Sequence, residues 1–106
     1  MGCEQVLGNL RFVLYNEIDR VKVKENENGV PYIDLDLHGL TRKQAEKVLK
    51  NVININRGRF ELNVIHGFNH GTIIKEMIMN TKFSNRVVKK NSPDWNPGQT
   101  VFQIAA

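Results

Sequence analysis

The chain has 106 residues, 41% of them hydrophobic, and a formal net charge of +4, a length that fits one domain and leaves no room for a second catalytic one. The single Cys3 excludes an internal disulfide framework and a Cys-based zinc site, and no stretch approaches the roughly 20 apolar residues of a membrane span. Residues 1–40 hold four Lys/Arg against seven Asp/Glu and residues 41–106 hold eleven against four, so the basic excess belongs to the last two thirds, where it can attract a polyanion such as nucleic acid.

The amino terminus lacks a basic patch followed by an apolar run, and Val6 stands where a myristoylation signal wants Ser or Thr. A soluble, cytoplasmic protein is expected. Leu7, Leu10, Leu14, Ile18 and Val21 recur every three or four positions, which predicts a helix from Glu4 to Val21, although Phe12-Val13-Leu14-Tyr15 alone would suit a strand. Lys24-Glu25-Asn26-Glu27-Asn28-Gly29 has no apolar residue and ends in glycine, the composition of a solvated linker. Residues 1–29 are therefore expected to form a helical extension with a polar linker, and the compact domain, residues 30–106, to begin near Val30.

Ile33 to His38 alternates strictly and ends at Gly39, a strand with Ile33, Leu35 and Leu37 on one face and Asp34, Asp36 and His38 on the other. Thr41 and Gln44 have capping-box spacing, and Ala45, Val48, Leu49, Val52 and Ile53 keep a helical period that Gly58 ends. Phe60 to His66 reads as a second strand, Gly67 to Gly71 as a loop, and Ile73, Ile74, Met77 and Ile78 as a second helix. Arg86 to Lys90 makes a third strand and Thr100 to Ile104 a fourth, separated by a loop from Ser92 to Gly98. The order β-α-β-α-β-β is that of an α/β two-layer sandwich, a four-stranded mixed sheet with both helices on one face through right-handed crossovers. A strand covered on both faces would be apolar on both, so Asp34, Asp36 and His38 predict a sheet face open to water.

Residues two apart on a strand point the same way, so Asp36 and His38 can reach one ligand, metal ion or water. A carboxylate beside an imidazole can bind a divalent cation, or fix the tautomer of the histidine and raise its basicity for proton transfer. Spacing alone equally describes a polar, solvated strand face. In His66-Gly67-Phe68-Asn69-His70-Gly71-Thr72 the glycines permit tight turns, and the free N–H groups of the following helix can receive a phosphate; the same glycines also serve as plain turn formers. Phe68 and Trp95 offer rings for stacking on unpaired bases, or lids for the core. Lys75, Arg86, Lys89 and Lys90 could flank such a site as phosphate contacts, while Arg42, Lys43, Lys47 and Lys50 read as the solvated face of the first helix.

Leu35-Asp36-Leu37-His38-Gly39-Leu40-Thr41 with Ala45, then Val64-Ile65-His66-Gly67 and Gly71, then Asn96-Pro97-Gly98-Gln99-Thr100-Val101-Phe102, resemble the three signature blocks of the Smr (small MutS-related) domain. The resemblance covers about residues 33–104. It implies a fold similar to the C-terminal domain of bacterial translation initiation factor three, nucleic-acid binding and, in several members, endonuclease activity. That activity is DNA nicking in relatives fused to mismatch-repair-like ATPases and RNA cleavage in others. By position, Asp36 and His38 match the Asp-x-His motif proposed to act in cleavage, and His66, Gly67 and Gly71 match a His-Gly-x-Gly-x-Gly loop in which Asn69 replaces the middle glycine. The resemblance leaves residues 1–29 unexplained.

Two classes of function remain, an endonuclease and a non-catalytic DNA- or RNA-binding module. In the first, His38 oriented by Asp36 activates the nucleophile. With RNA that nucleophile can be the 2′-OH and no metal is needed; with DNA water attacks, and a divalent cation (Mg or Mn) held by Asp36 and His38 is the expected cofactor. The binding module needs the same charge and loop without the Asp-His pair. Neither calls for a membrane.

Overall fold

In the computed structural model, which describes residues 2–67, 71–93 and 97–106, the alternation around Asp36 becomes the central feature of a sheet. Ile33, Leu35 and Leu37 are fully buried, while Tyr32, Asp34 and Asp36 are only partly covered. The chain runs through helix α1 (Cys3–Leu14), a 3-10 helix (Tyr15–Arg20), strands β1 (Val21–Glu25) and β2 (Pro31–Asp36), helix α2 (Arg42–Ile55), strand β3 (Phe60–Ile65), helix α3 (Gly71–Asn80), and strands β4 (Val87–Asn91) and β5 (Gln99–Ile104).

The sheet is five-stranded with order β1-β2-β3-β5-β4. β2 and β3 are parallel, as a helical crossover requires, and the other neighbours are antiparallel. Val6, Leu10 and Leu14 of α1, Ala45, Leu49, Val52 and Ile53 of α2, and Ile74, Met77 and Ile78 of α3 share one core with Ile33, Leu35, Phe60, Leu62, Val64, Phe102 and Ile104. The strand register sets these residues on the same side of the sheet, so the helices cover one face and leave the other to solvent. The Thr41 hydroxyl accepts from the Gln44 N–H and the Gln44 side chain from the Thr41 N–H, the capping box expected at the start of α2.

The architecture expected from the sequence is thus correct in class and incomplete in detail, with five strands and three α-helices in place of four and two among the described residues. The helix expected from Glu4 to Val21 stops at Leu14, because Tyr15 takes a positive φ of 42°, which a helix does not tolerate. Ile18 and Val21 keep the apolar spacing beyond that break because a 3-10 turn and then a strand follow the same core layer. The expected linker begins two residues late: Lys24 and Glu25 close β1, paired opposite Tyr32 and Pro31, and the turn itself is held by the Asn26 side chain, which accepts from the N–H groups of Asn28 and Val30. Short, charged β1 carried too little hydrophobic signal to be read alone; pairing with β2 makes it a strand. Among the described residues no helix is long and apolar enough to cross a membrane.

Candidate functional site

Asp36 ends β2, and the ladder continues one residue beyond it through the Leu37 N–H, which donates to the Ile65 carbonyl at 2.9 Å. The chain then turns over Leu37–Leu40, closed by the Leu40 N–H on the Leu37 carbonyl at 3.2 Å, with Gly39 at φ +80°, the value the third position of a type II turn demands. A Cβ at Gly39 would meet nothing within 4 Å, so backbone conformation and not crowding requires glycine there. This turn folds His38 back onto Asp36. Asp36 Oδ1 accepts from the His38 backbone N–H at 3.0 Å and lies 2.7 Å from His38 Nδ1.

Partial burial pushes the Asp36 carboxyl up, but the His38 backbone N–H, the His38 ring and the charge of Arg20 outweigh it and hold the group below its ordinary value. A carboxylate only accepts hydrogen bonds, so the ring proton sits on Nδ1 and Nε2 is left to act on a ligand. The His38 side chain is 76% exposed, which puts that nitrogen in reach of a macromolecule. From the 3-10 helix, Arg20 Nη1 donates to the carbonyls of Asp36 at 3.2 Å and His38 at 2.8 Å while its Nε pairs with Glu17. The turn that carries the pair is thereby fastened from below.

His66 has a different role from the one its loop position predicts. It continues the inward parity of Phe60, Leu62 and Val64 and is 2% exposed. Nδ1 lies 3.2 Å from the Gly67 carbonyl and Nε2 3.0 Å from Thr100 Oγ1, which in turn is 3.3 Å from Ser92 Oγ. A carbonyl cannot donate, so Nδ1 carries the proton, Nε2 accepts from Thr100 and Thr100 accepts from Ser92. Burial, aided by the charge of Lys75 and opposed by hydrogen bonds at Gly67 and Gln99, lowers the pKa of His66 and keeps the ring neutral. The N–H groups of His66 and Gly67 both donate to the Gly98 carbonyl, at 2.9 and 3.1 Å. The second and third sequence blocks are therefore physically tied, and register sets Asp36, Ile65 and Gln99 in one row across β2, β3 and β5.

The remaining candidates divide. Thr72 and Lys89 are exposed and Lys75 is half-buried beside His66; these three remain open to a ligand. Arg86 and Lys90 are not free phosphate contacts. Arg86 donates to the carbonyls of Ala105, Ile53 and Gly58 at 2.8, 3.0 and 2.8 Å, and Lys90 caps the end of α3 on Ile78 and Thr81 at 2.6 and 2.8 Å. A bulge between Val87 and Lys89 shifts the register of β4, so that Lys90 pairs with inward-facing Phe102. Asp34 is also spent: it accepts from Asn63 Nδ2 at 2.9 Å and pairs with Lys24 at 3.1 Å. Phe68, Asn69, His70 and Trp95 lie outside the described residues, and Gly71 opens α3.

Among the described residues no three His, Cys, Asp or Glu side chains group as a metal site. With Oδ1 held on Nδ1, the carboxylate and His38 Nε2 point apart, so a divalent cation could be taken by either one but not chelated by both, contrary to the shared site expected from the sequence. Sequence reasoning missed Arg20, Ser92 and Thr100. Thr100 had a signal, a hydroxyl at an inward position of the run Thr100, Phe102, Ile104; Arg20 had none, since its contacts depend on an element far away in sequence. A family model described as Smr domain matches residues 35–99, well over half of the chain. No curated protein and no solved structure matches it.

Proposed function

Because the chain belongs to the Smr domain family, we propose that it binds nucleic acid and cleaves its phosphodiester backbone, with His38 as the acid–base group. The observation that carries this reading is the Asp36–His38 pair, 2.7 Å apart at an exposed sheet edge. His38 Nε2 takes the proton of the attacking oxygen, the 2′-OH of RNA or a water on DNA. As that oxygen bonds to phosphorus, the P–O bond on the opposite side breaks, and the imidazolium returns its proton to the departing oxygen. Asp36 holds Nδ1–H in place and stabilises the imidazolium between the two transfers. A divalent cation taken by His38 Nε2 would supply charge neutralisation on DNA but would occupy the nitrogen that acts as base, which favours RNA as the substrate. Lys75 and Lys89, with the N–H groups that open α3, supply phosphate attraction.

The test is a cleavage assay on single-stranded RNA and on supercoiled plasmid, with and without chelator. His38→Ala is expected to slow cleavage about 10²–10⁴-fold, the usual worth of a positioned acid–base group, with little change in binding. Asp36→Asn should move in the same direction, and the double variant should cost less than the two separate losses multiplied together. Wild type that cuts neither substrate in any metal reduces the protein to a binding module, and His38→Ala that cuts as fast as wild type removes His38 from the chemistry.

A further inference from the structure

The open face of the sheet carries a groove of about 440 Å³ that no helix covers. Its floor includes Tyr32, Val101, Gln99 and Gln103, and Lys89 and Asn91 of β4 form one side. Gln99 stands in the same row as Asp36, two strands away, which at strand spacing is about 10 Å. The groove thus lies on the sheet face that bears Asp36, with Gln99 on the row that leads to it. Its chemistry differs from that of the Asp36–His38 pair. The side-chain amides of Asn91, Gln99 and Gln103 have no protein partner among the described residues, although each presents both a donor and an acceptor. The Tyr32 ring lies beside them, with Lys24 Nζ 5.3 Å from its centroid.

Charge on this face balances: Lys22, Lys24 and Lys89 stand against Asp34, Asp36 and Glu61. A duplex is held through its phosphates and requires a cationic surface. A balanced face with unpartnered amides and a ring suits bases instead, since unpaired bases offer hydrogen-bonding edges and stacking faces that a duplex hides. We infer that the groove is a subsite for unpaired nucleotides, a single-stranded segment of the substrate laid across the open sheet with its bases on the amides of Asn91, Gln99 and Gln103. This rests on the nucleic-acid reading above and adds the strandedness of the substrate and the residues that select it.

The experiment compares binding of a fluorescent oligouridylate of about ten nucleotides with that of a duplex RNA of equal length, for wild type and for the Gln99→Ala/Gln103→Ala variant. Wild type should prefer the single strand, and the variant should lose about tenfold or more in affinity for it, the worth of two hydrogen bonds, with duplex binding unchanged. A second measurement does not depend on the variant: in NMR titration of wild type, the side-chain amide signals of Asn91, Gln99 and Gln103 should shift with the oligouridylate. Wild type that binds the single strand with those signals unmoved, or a variant that binds it as tightly, overturns the subsite and leaves the proposed function standing. Wild type that binds the duplex as tightly as the single strand overturns the strandedness. Wild type that binds neither RNA overturns the subsite and RNA as the substrate of the proposed function, which then rests on the plasmid assay alone.

Discussion

Asp36 and His66 are both held by hydrogen bonds, yet they respond to acid for opposite reasons. Asp36 keeps its charge in the fold, where the bonds from His38 and the charge of Arg20 outweigh burial; its stabilisation is complete above the ordinary carboxylate value and is lost only as pH falls through the lower folded value. His66 is buried neutral. The unfolded chain takes up its proton near pH 6.5 while the folded ring resists, so stability is full above about 6.5 and falls as pH drops below it. Denaturant unfolding of wild type along a pH series is expected to show this loss, and His66→Gln, which cannot titrate, should flatten it. An equal slope in the variant would assign the loss to another group. Strand periodicity was enough to place Asp36 and His38 on one face. It did not reveal that His66 faces inward, because a histidine beside glycines reads as a loop ligand until its parity with Val64 is followed.

Two of the basic residues expected as phosphate contacts, Arg86 and Lys90, serve the elements instead of a ligand. Lys90 closes the carboxyl end of α3, and Arg86 joins the end of α2, the turn at Gly58 and the last residues of the chain through three carbonyls while its guanidinium lies 5.9 Å from the Phe60 ring centroid. Hydrogen bonds from a charged donor are worth about 1.5–3 kcal/mol each, and removing the donor leaves its acceptors unpaired. Arg86→Ala is therefore expected to destabilise the fold by about 2–5 kcal/mol, measured as the shift in a denaturant midpoint at unchanged slope. A loss within about 0.5 kcal/mol would mean that water replaces the guanidinium at no cost. Composition could not separate these cations from Lys89, since all three fall within five residues; the β4 bulge turns Lys90 to the core and leaves Lys89 on the open face.

For the whole molecule, the radius of gyration of 12.7 Å is that of one folded domain of this length, and its core reaches well before the matched residues 35–99. We propose that the segment before Val30 folds cooperatively with the rest. Val6, Leu10, Leu14 and Val21 are buried; each is worth about 1.5–3 kcal/mol, and together they rival the roughly 5–15 kcal/mol that holds a domain folded. Deleting residues 1–28 should abolish the cooperative thermal transition, and a truncated chain that keeps a sharp one would make the segment dispensable. What the sequence by itself determined is local and periodic: the central strands, the capped helix α2, the open sheet face and the Asp36–His38 pair all follow from residues a few positions apart. Tertiary structure decided what depends on distant partners. β1 is a strand only beside β2, Arg20 finds its role only under the turn at His38, and His66 becomes a buried strut only where Thr100 meets it across β5. No local pattern encodes these contacts, because the free energy of each arises when two remote segments come together and exclude water.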